Sequence, residues 1–198
     1  MRRTFITFIV AAVATLLLNA CNMKVKEEGK EGNKNVSISS SLGDLKVRTD
    51  EVNPSDTGLS VYPGSRLKPK EDKNHDNKAN VDINTPWFGV KVVALTYESD
   101  DDPEKVWDYY RDEMAKKWGK PLECRPGSAD MNKHKEGKDD LVCRDSKKKG
   151  VNIDADTSDM QLKVGTEDKQ HVVAVKKEGG KTQYSLVYVT VRGEKDSI

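Results

Sequence analysis

The chain reads as an α+β fold: an antiparallel sheet of about 7–10 strands, hairpins and a meander, with one main helix packed on one face. Three observations predict it. Short stretches alternating apolar and polar residues recur from Val36 to Val191, the pattern of strands with one buried face. A single long segment, Pro103 to Trp118, repeats its apolar residues at helical spacing. Everything after that segment is strand-like. Composition sets the scale of the core. Of 198 residues, 35% are hydrophobic, 34% charged and 6% aromatic. An average domain is ~45–50% apolar and ~25% charged, so the core here is lean. A polytopic membrane protein is excluded on the same ground. A net charge of +1 argues against nucleic-acid binding through bulk basicity.

In chain order, Val36-Ser37-Ile38 and Leu45-Lys46-Val47 alternate about a Leu42-Gly43-Asp44 turn and form a hairpin. The stretch 36–55 is read as part of a single domain over 36–198, or as a separate N-terminal hairpin. Val61-Tyr62-Pro63-Gly64 is a short strand ended by a Pro-Gly turn. Residues 68–78 form a charged loop. Val81-Asp82-Ile83 and Val90-Lys91-Val92 repeat the first hairpin, and Val151-Asn152-Ile153 with Leu162-Lys163-Val164 resembles it again. These three hairpins fit an old duplication, and equally the small vocabulary of two-residue alternation. Gly89 to Tyr97 is the best candidate for a central strand, being Val-rich and almost continuously apolar.

The helix has both its ends written in the sequence. Asp102 is a good N-cap, Pro103 suits the first helical position, and the acids at 100–102 favour the positive helix end. Val106, Tyr110 and Met114 form the core stripe, flanked by Trp107 and Trp118. Gly119 and Pro121 stop it. Strands are expected after it at 122–125, 140–145, 151–154, 160–165, 171–177 and 182–192, the last two joined through Gly179-Gly180.

The N-terminus is a separate object. Met1-Arg2-Arg3 is basic, Thr4 to Leu18 carries no charge, and the chain turns polar after Cys21. That is the layout of a secretory leader, here residues 1–20. The apolar run of about 14 residues is short for a spanning helix, which needs about 20. Leu18-Asn19-Ala20-Cys21 resembles the lipobox of bacterial prolipoproteins. The resemblance implies cleavage before Cys21 and acylation of its thiol and new amino group. Several acyl chains on one residue give stable membrane attachment. Asn22, where Asp would favour inner-membrane retention in that family, implies the outer membrane of a bacterial envelope. Residues 21–35, charged and Gly-containing, are expected to be a flexible tether spanning on the order of 20 Å.

Two cysteines remain, Cys124 and Cys143, each in a strand-like stretch beside a polar loop. In an oxidising compartment an even pair reads as a structural disulfide, ahead of a metal site or a catalytic dithiol. The acids Asp100 to Asp102 are accounted for by helix capping. Asn152, Asp154, Asp156 and Asp159 fail the Gly and Glu positions of a calcium loop. His75, His134 and His171 lack ligand spacing, so neither a metal nor a cofactor is expected. No nucleophile elbow or phosphate-binding Gly loop is present. Lys147-Lys148-Lys149 reads as a solvated basic turn ahead of an anionic-lipid contact. Trp87-Phe88, between Pro86 and Gly89, marks a hairpin tip. Such a pair either folds back over the core, the commoner outcome, or is exposed as a contact for a partner or lipid headgroup.

The Val61-Tyr62-Pro63-Gly64 segment, the Asp-rich helix start and Val106 with Tyr109-Tyr110 resemble a recurrent, uncharacterised bacterial lipoprotein domain, over roughly residues 56–192. The resemblance implies a fold and no chemistry. The expected function is a lipid-anchored, non-catalytic envelope scaffold or interaction module of unknown partner. The second reading is a small-molecule or lipid carrier, and the third an enzyme.

Overall fold

The computed structural model describes residues 24–28, 35–49, 52–69, 77–125, 127–132, 137, 140–143 and 160–193. The leader, Cys21, His75, His134, the Lys147–149 turn, the 151–154 strand and the acids of the tested calcium loop lie outside the described residues.

The strands are β1 Lys24–Glu28, β2 Asn35–Ser40, β3 Gly43–Arg48, β4 Arg66–Leu67, β5 Lys78–Asn84, β6 Phe88–Ser99, β7 Leu122–Cys124, β8 Met160–Thr166, β9 Lys169–Glu178 and β10 Lys181–Gly193. The helix α1 is Pro103–Trp118. All ten strands join one antiparallel sheet in the order β1-β2-β3-β5-β6-β10-β9-β8-β7, with β4 pairing one end of β6. The Val-rich strand β6 is central, as its apolar run requires.

Residues opposite one another in an antiparallel pair share a face. Leu95 opposes Leu186 and Tyr97 opposes Tyr184; Val173 opposes both Leu186 and Leu162. These side chains form one buried cluster with Val106, Trp107, Tyr110 and Met114 of α1. The helix ends are as the local signals dictate. The Asp102 carboxylate accepts from the Glu104 N–H at 3.1 Å, and Gly119 caps the C-terminus.

The other face of the sheet carries a second apolar set, Val172, Val187 and Val189 with Val92, Ala94 and Val191. It continues through β5, β3 and β2. Val92 opposes Val81, Val81 opposes Val47, and Val47 opposes Val36. There the same side chains are only half-buried. The two N-terminal hairpins share one register: Ile38 faces Leu45 as Ile83 faces Val90, and Val36 faces Val47 as Val81 faces Val92.

Four expectations need correcting. Residues 24–28, expected within a flexible tether, form the edge strand β1, each residue paired from Lys24–Ser39 to Glu28–Asn35. Ladder bonds are made by the backbone, so a charged sequence can supply an edge. The 36–55 hairpin is not separate, because β3 pairs with β5 over five positions. Val61–Gly64 is no strand; the Tyr62 N–H donates to the hydroxyls of Tyr110 and Tyr184 at 3.0 and 3.2 Å instead of to a neighbouring strand. Residues 140–143 are not a strand either. The Lys163 ammonium donates to the Val142 and Cys143 carbonyls at 3.2 and 3.4 Å, doing what a ladder would have done.

Candidate functional site

The structure gathers three groups of side chains, and each starts from a different local cause.

The first group is organised by the segment 52–67, which runs along α1 from its C-terminal end to its N-terminal end. Lys117 donates to the Gly58 carbonyl at 2.8 Å. Glu113 accepts from the Ser60 N–H at 3.0 Å. Tyr110 donates to the Ser60 carbonyl at 3.0 Å. The Tyr62 hydroxyl donates to Asp101 at 3.0 Å. Burial raises the Tyr110 hydroxyl far above the ordinary phenol range, and raises Tyr184 and Tyr97 as well, so all three stay protonated and act as fixed hydrogen-bonding groups. Hydrogen bonds from Lys105 and Tyr62 hold the Asp101 carboxyl below its usual value.

His171 belongs to the same group. Its Nδ1 lies 2.8 Å from the Thr57 carbonyl. A carbonyl only accepts, so Nδ1 carries the proton and the lone pair sits on Nε2. Burial, with Lys169 and Lys117 adding to it, holds its pKa below the ordinary imidazole value, so the ring is neutral at pH 7. Trp118 stacks on one side with ring centroids 3.9 Å apart, and Tyr188 packs 4.8 Å away. Gly58 closes this stack: at φ 74 it sits where a Cβ would come 3.2 Å from both His171 and Trp118. Trp118 is therefore not a core residue as its helix position suggested. It is 39% exposed and covers His171.

The second group is the Cys124–Cys143 disulfide, with Cα atoms 5.3 Å apart. Cys124 comes from the short strand β7, and Leu122, Met131 and Leu141 pack with the pair in a small separate core. Asp130 and Ser128 bond the β7 backbone, at the Glu123 N–H and carbonyl, which shapes the turn after the strand.

The third group is at the surface. Trp87 and Phe88 stand at the β5–β6 turn, as the sequence placed them, and they do not fold back: Trp87 is 68% exposed and Phe88 also lies in solvent. Thr85 fixes the turn, with its N–H and hydroxyl both donating to the Phe88 carbonyl at 2.7 Å. The β2–β3 turn lies against it. A Cβ on Gly43 would fall 2.5 Å from the Asn84 carbonyl and 2.8 Å from the Thr85 methyl. Leu42, at that turn, is 67% exposed.

Of the acids weighed as ligands, Asp102 caps the helix, Asp101 meets Tyr62 and Lys105, and Asp100 pairs with Arg66 at 3.3 Å. Among the described residues no three His, Cys, Asp or Glu side chains could hold a metal ion. No described helix is long and apolar enough to cross a membrane. Sequence reasoning missed the Tyr62–Tyr110–Tyr184 and Thr57–His171 contacts, which join residues far apart in the chain. The one local signal for them was the Pro63-Gly64 turn that presents the Tyr62 N–H. No known protein family, no curated protein and no solved structure matches this chain.

Proposed function

We propose that this protein is a bacterial envelope lipoprotein, acylated on Cys21, whose single α+β domain is a rigid, non-catalytic scaffold or interaction module. In this reading α1 is the layer that covers one face of the sheet, and the outer membrane is the site of attachment. The observation that carries the non-catalytic part is how the interior polar groups are spent. His171, Tyr110, Glu113 and Lys117, the side chains best suited to acid–base work, are each bonded to the backbone of residues 57–60. A hydroxyl or ammonium whose proton holds a fixed carbonyl acts as a structural tie, and the His171 ring, held through Nδ1, is packed between Trp118 and Tyr188. The residues that would line a carrier's cavity, Val106, Tyr110 and Met114, are fully buried against one another's cluster, which favours the scaffold over the carrier. The anchor rests on the Leu18-Asn19-Ala20-Cys21 resemblance.

Intact mass of protein extracted from its own membranes tests both parts. A diacylglycerol and an acyl mass on a chain starting at Cys21 is the expected result. Exporting residues 22–198 behind an ordinarily cleaved leader should leave at most weak, reversible membrane binding, so that repeated washing moves the protein to the soluble fraction, and retention through washing would reject the anchor. A small molecule retained on the folded protein in native spectra would replace the scaffold with the carrier.

A further inference from the structure

Four of the five large apolar residues that the described structure leaves exposed are Val25, Leu42, Trp87 and Phe88. They are scattered in sequence, but the register brings them to one end of the sheet. Lys24 pairs with Ser39, Ser39 with Asp44, Asp44 with Asn84, Asn84 with Gly89, and Gly89 with Arg192. This row crosses the sheet from β1 to β10. Val25 lies one residue inside it. The turns carrying Leu42 and Trp87-Phe88 project just beyond it and touch through Gly43 and Thr85. Successive strands turn by about 20–25°, so the row is curved, and the two touching turns lie beyond it. Lys24 and Arg192 bring two cations to the row and Asp44 one acid, and the β8–β9 turn brings Asp168 beside its β10 end, where its carbonyl accepts from the Val191 N–H at 2.7 Å, so the charges there are mixed.

The same end of the sheet is where the chain arrives from Cys21. Only Asn22 and Met23 separate Cys21 from Lys24, and three steps of extended chain reach at most about 11 Å. A long tether would let the domain float clear of the bilayer. A strand starting at Lys24 does not.

From these two observations we infer that the Leu42, Trp87 and Phe88 turns are a membrane-docking fringe, inserted into the headgroup region of the bilayer that holds Cys21. This deepens the lipoprotein reading and rests on it. The occupant is lipid and not a second protein because the acyl chains on Cys21 would fix that end of the sheet within side-chain reach of the headgroups. Aromatic rings beside Lys and Arg suit that layer: the rings take up the interfacial position and the cations meet phosphates. Docking would use the anchor, Val25 and the two turns as separate points of support and fix the orientation of the whole sheet. The opposite end, with Arg66–Asp100, Lys181–Glu98 and Lys176–Glu178 pairs at 3.3, 3.5 and 2.6 Å, would then point away from the membrane.

Lipidated protein, purified from its own membranes, is placed in vesicles of phosphatidylethanolamine and phosphatidylglycerol with brominated acyl chains. Trp87 is the tryptophan of the fringe, whereas Trp107 is fully buried. Quenching is expected with bromines near the headgroup end, weaker quenching with bromines near the methyl end, and loss of most of it in Trp87→Phe. In a second measurement, unlipidated protein should bind these vesicles, and Leu42→Ser/Trp87→Ser/Phe88→Ser should weaken binding by at least about tenfold, or ~1.4 kcal/mol. A lipidated, vesicle-bound protein whose Trp87 is not quenched overturns the fringe and leaves the anchor standing. A chain with no lipid on Cys21 overturns the anchor and the fringe with it.

Discussion

The two halves of this sheet are built from similar strands and held in different ways. In β2, β3, β5 and residues 24–26 of β1 no position is fully buried, and the apolar residues Val36, Ile38, Leu45, Val47, Val81 and Ile83 are half-covered. In β6, β8, β9 and β10 the cluster around α1 removes Val93, Leu95, Leu162, Val173, Val175 and Leu186 from water almost completely. Backbone pairing is equally regular in both halves. The difference teaches that ladder bonds give this fold its shape while burial gives it its stability, since a hydrogen bond exchanged with water contributes little net free energy and buried apolar surface contributes much.

The largest effect that would test this contrast is Met114→Asp. A carboxylate in the dry cluster has no partner, and the cost of more than about 4 kcal/mol takes most of a small domain's stability. Loss of the cooperative thermal transition is expected; a folded variant would mean the stripe on α1 is not the source of stability. Next is the disulfide. Cys124→Ser with Cys143→Ser removes a closed loop worth roughly 3 kcal/mol, readable as a drop in the urea midpoint. The direct comparison is Val173→Ala against Val81→Ala. The first opens a cavity in the covered half and should cost ~2 kcal/mol; the second, half-solvated already, should cost less than ~1 kcal/mol. Equal losses would abolish the distinction between the halves. Hydrogen exchange extends it, with β2 and β3 amides opening at lower free energy than those of β10.

A smaller effect isolates His171. Its pKa is lowered in the folded state, so below the ordinary imidazole value the unfolded chain takes up a proton that the folded chain resists. Stability should therefore fall as the pH drops below ~6.5, by at most about 1.4 kcal/mol per pH unit. His171→Gln should flatten that part of the profile and leave the acid limb below pH ~4, set by groups such as Asp101, unchanged. The smallest effect is Trp87→Ser, within about 0.5 kcal/mol of wild type in solution, because the ring is exposed in the folded state as it is in the unfolded one.

How much of this could be read from the residues follows from the range of the interactions. The helix was legible at both ends because Asp102, Pro103 and Gly119 act within one turn of where they stand. The hairpins were legible because alternation and turn residues are local too. Trp87-Phe88 was legible as a tip, but its exposure was not, since nothing nearby says whether a sheet face has room for a folded-back ring. β1 was hidden because an edge is made by backbone groups, and its Lys24-Val25-Lys26-Glu27-Glu28 sequence looks like a linker. The Tyr62 and His171 contacts were hidden because they join the loop after β3 to α1, β9 and β10 across long stretches of chain.

An open sheet of ten strands ends in two edges, and each edge is a template on which another copy of the chain can grow. Here β7 is only three residues long and is pinned by Cys124, so it offers little backbone to copy. β1 has one partner among the described strands and carries four charges in five residues, which keep the edge hydrated and repel an identical strand laid parallel in the same register. This makes the sheet a terminated polymer. Neutralising the Lys24–Glu28 strand would leave that one edge open, on which two copies could pair into a dimer.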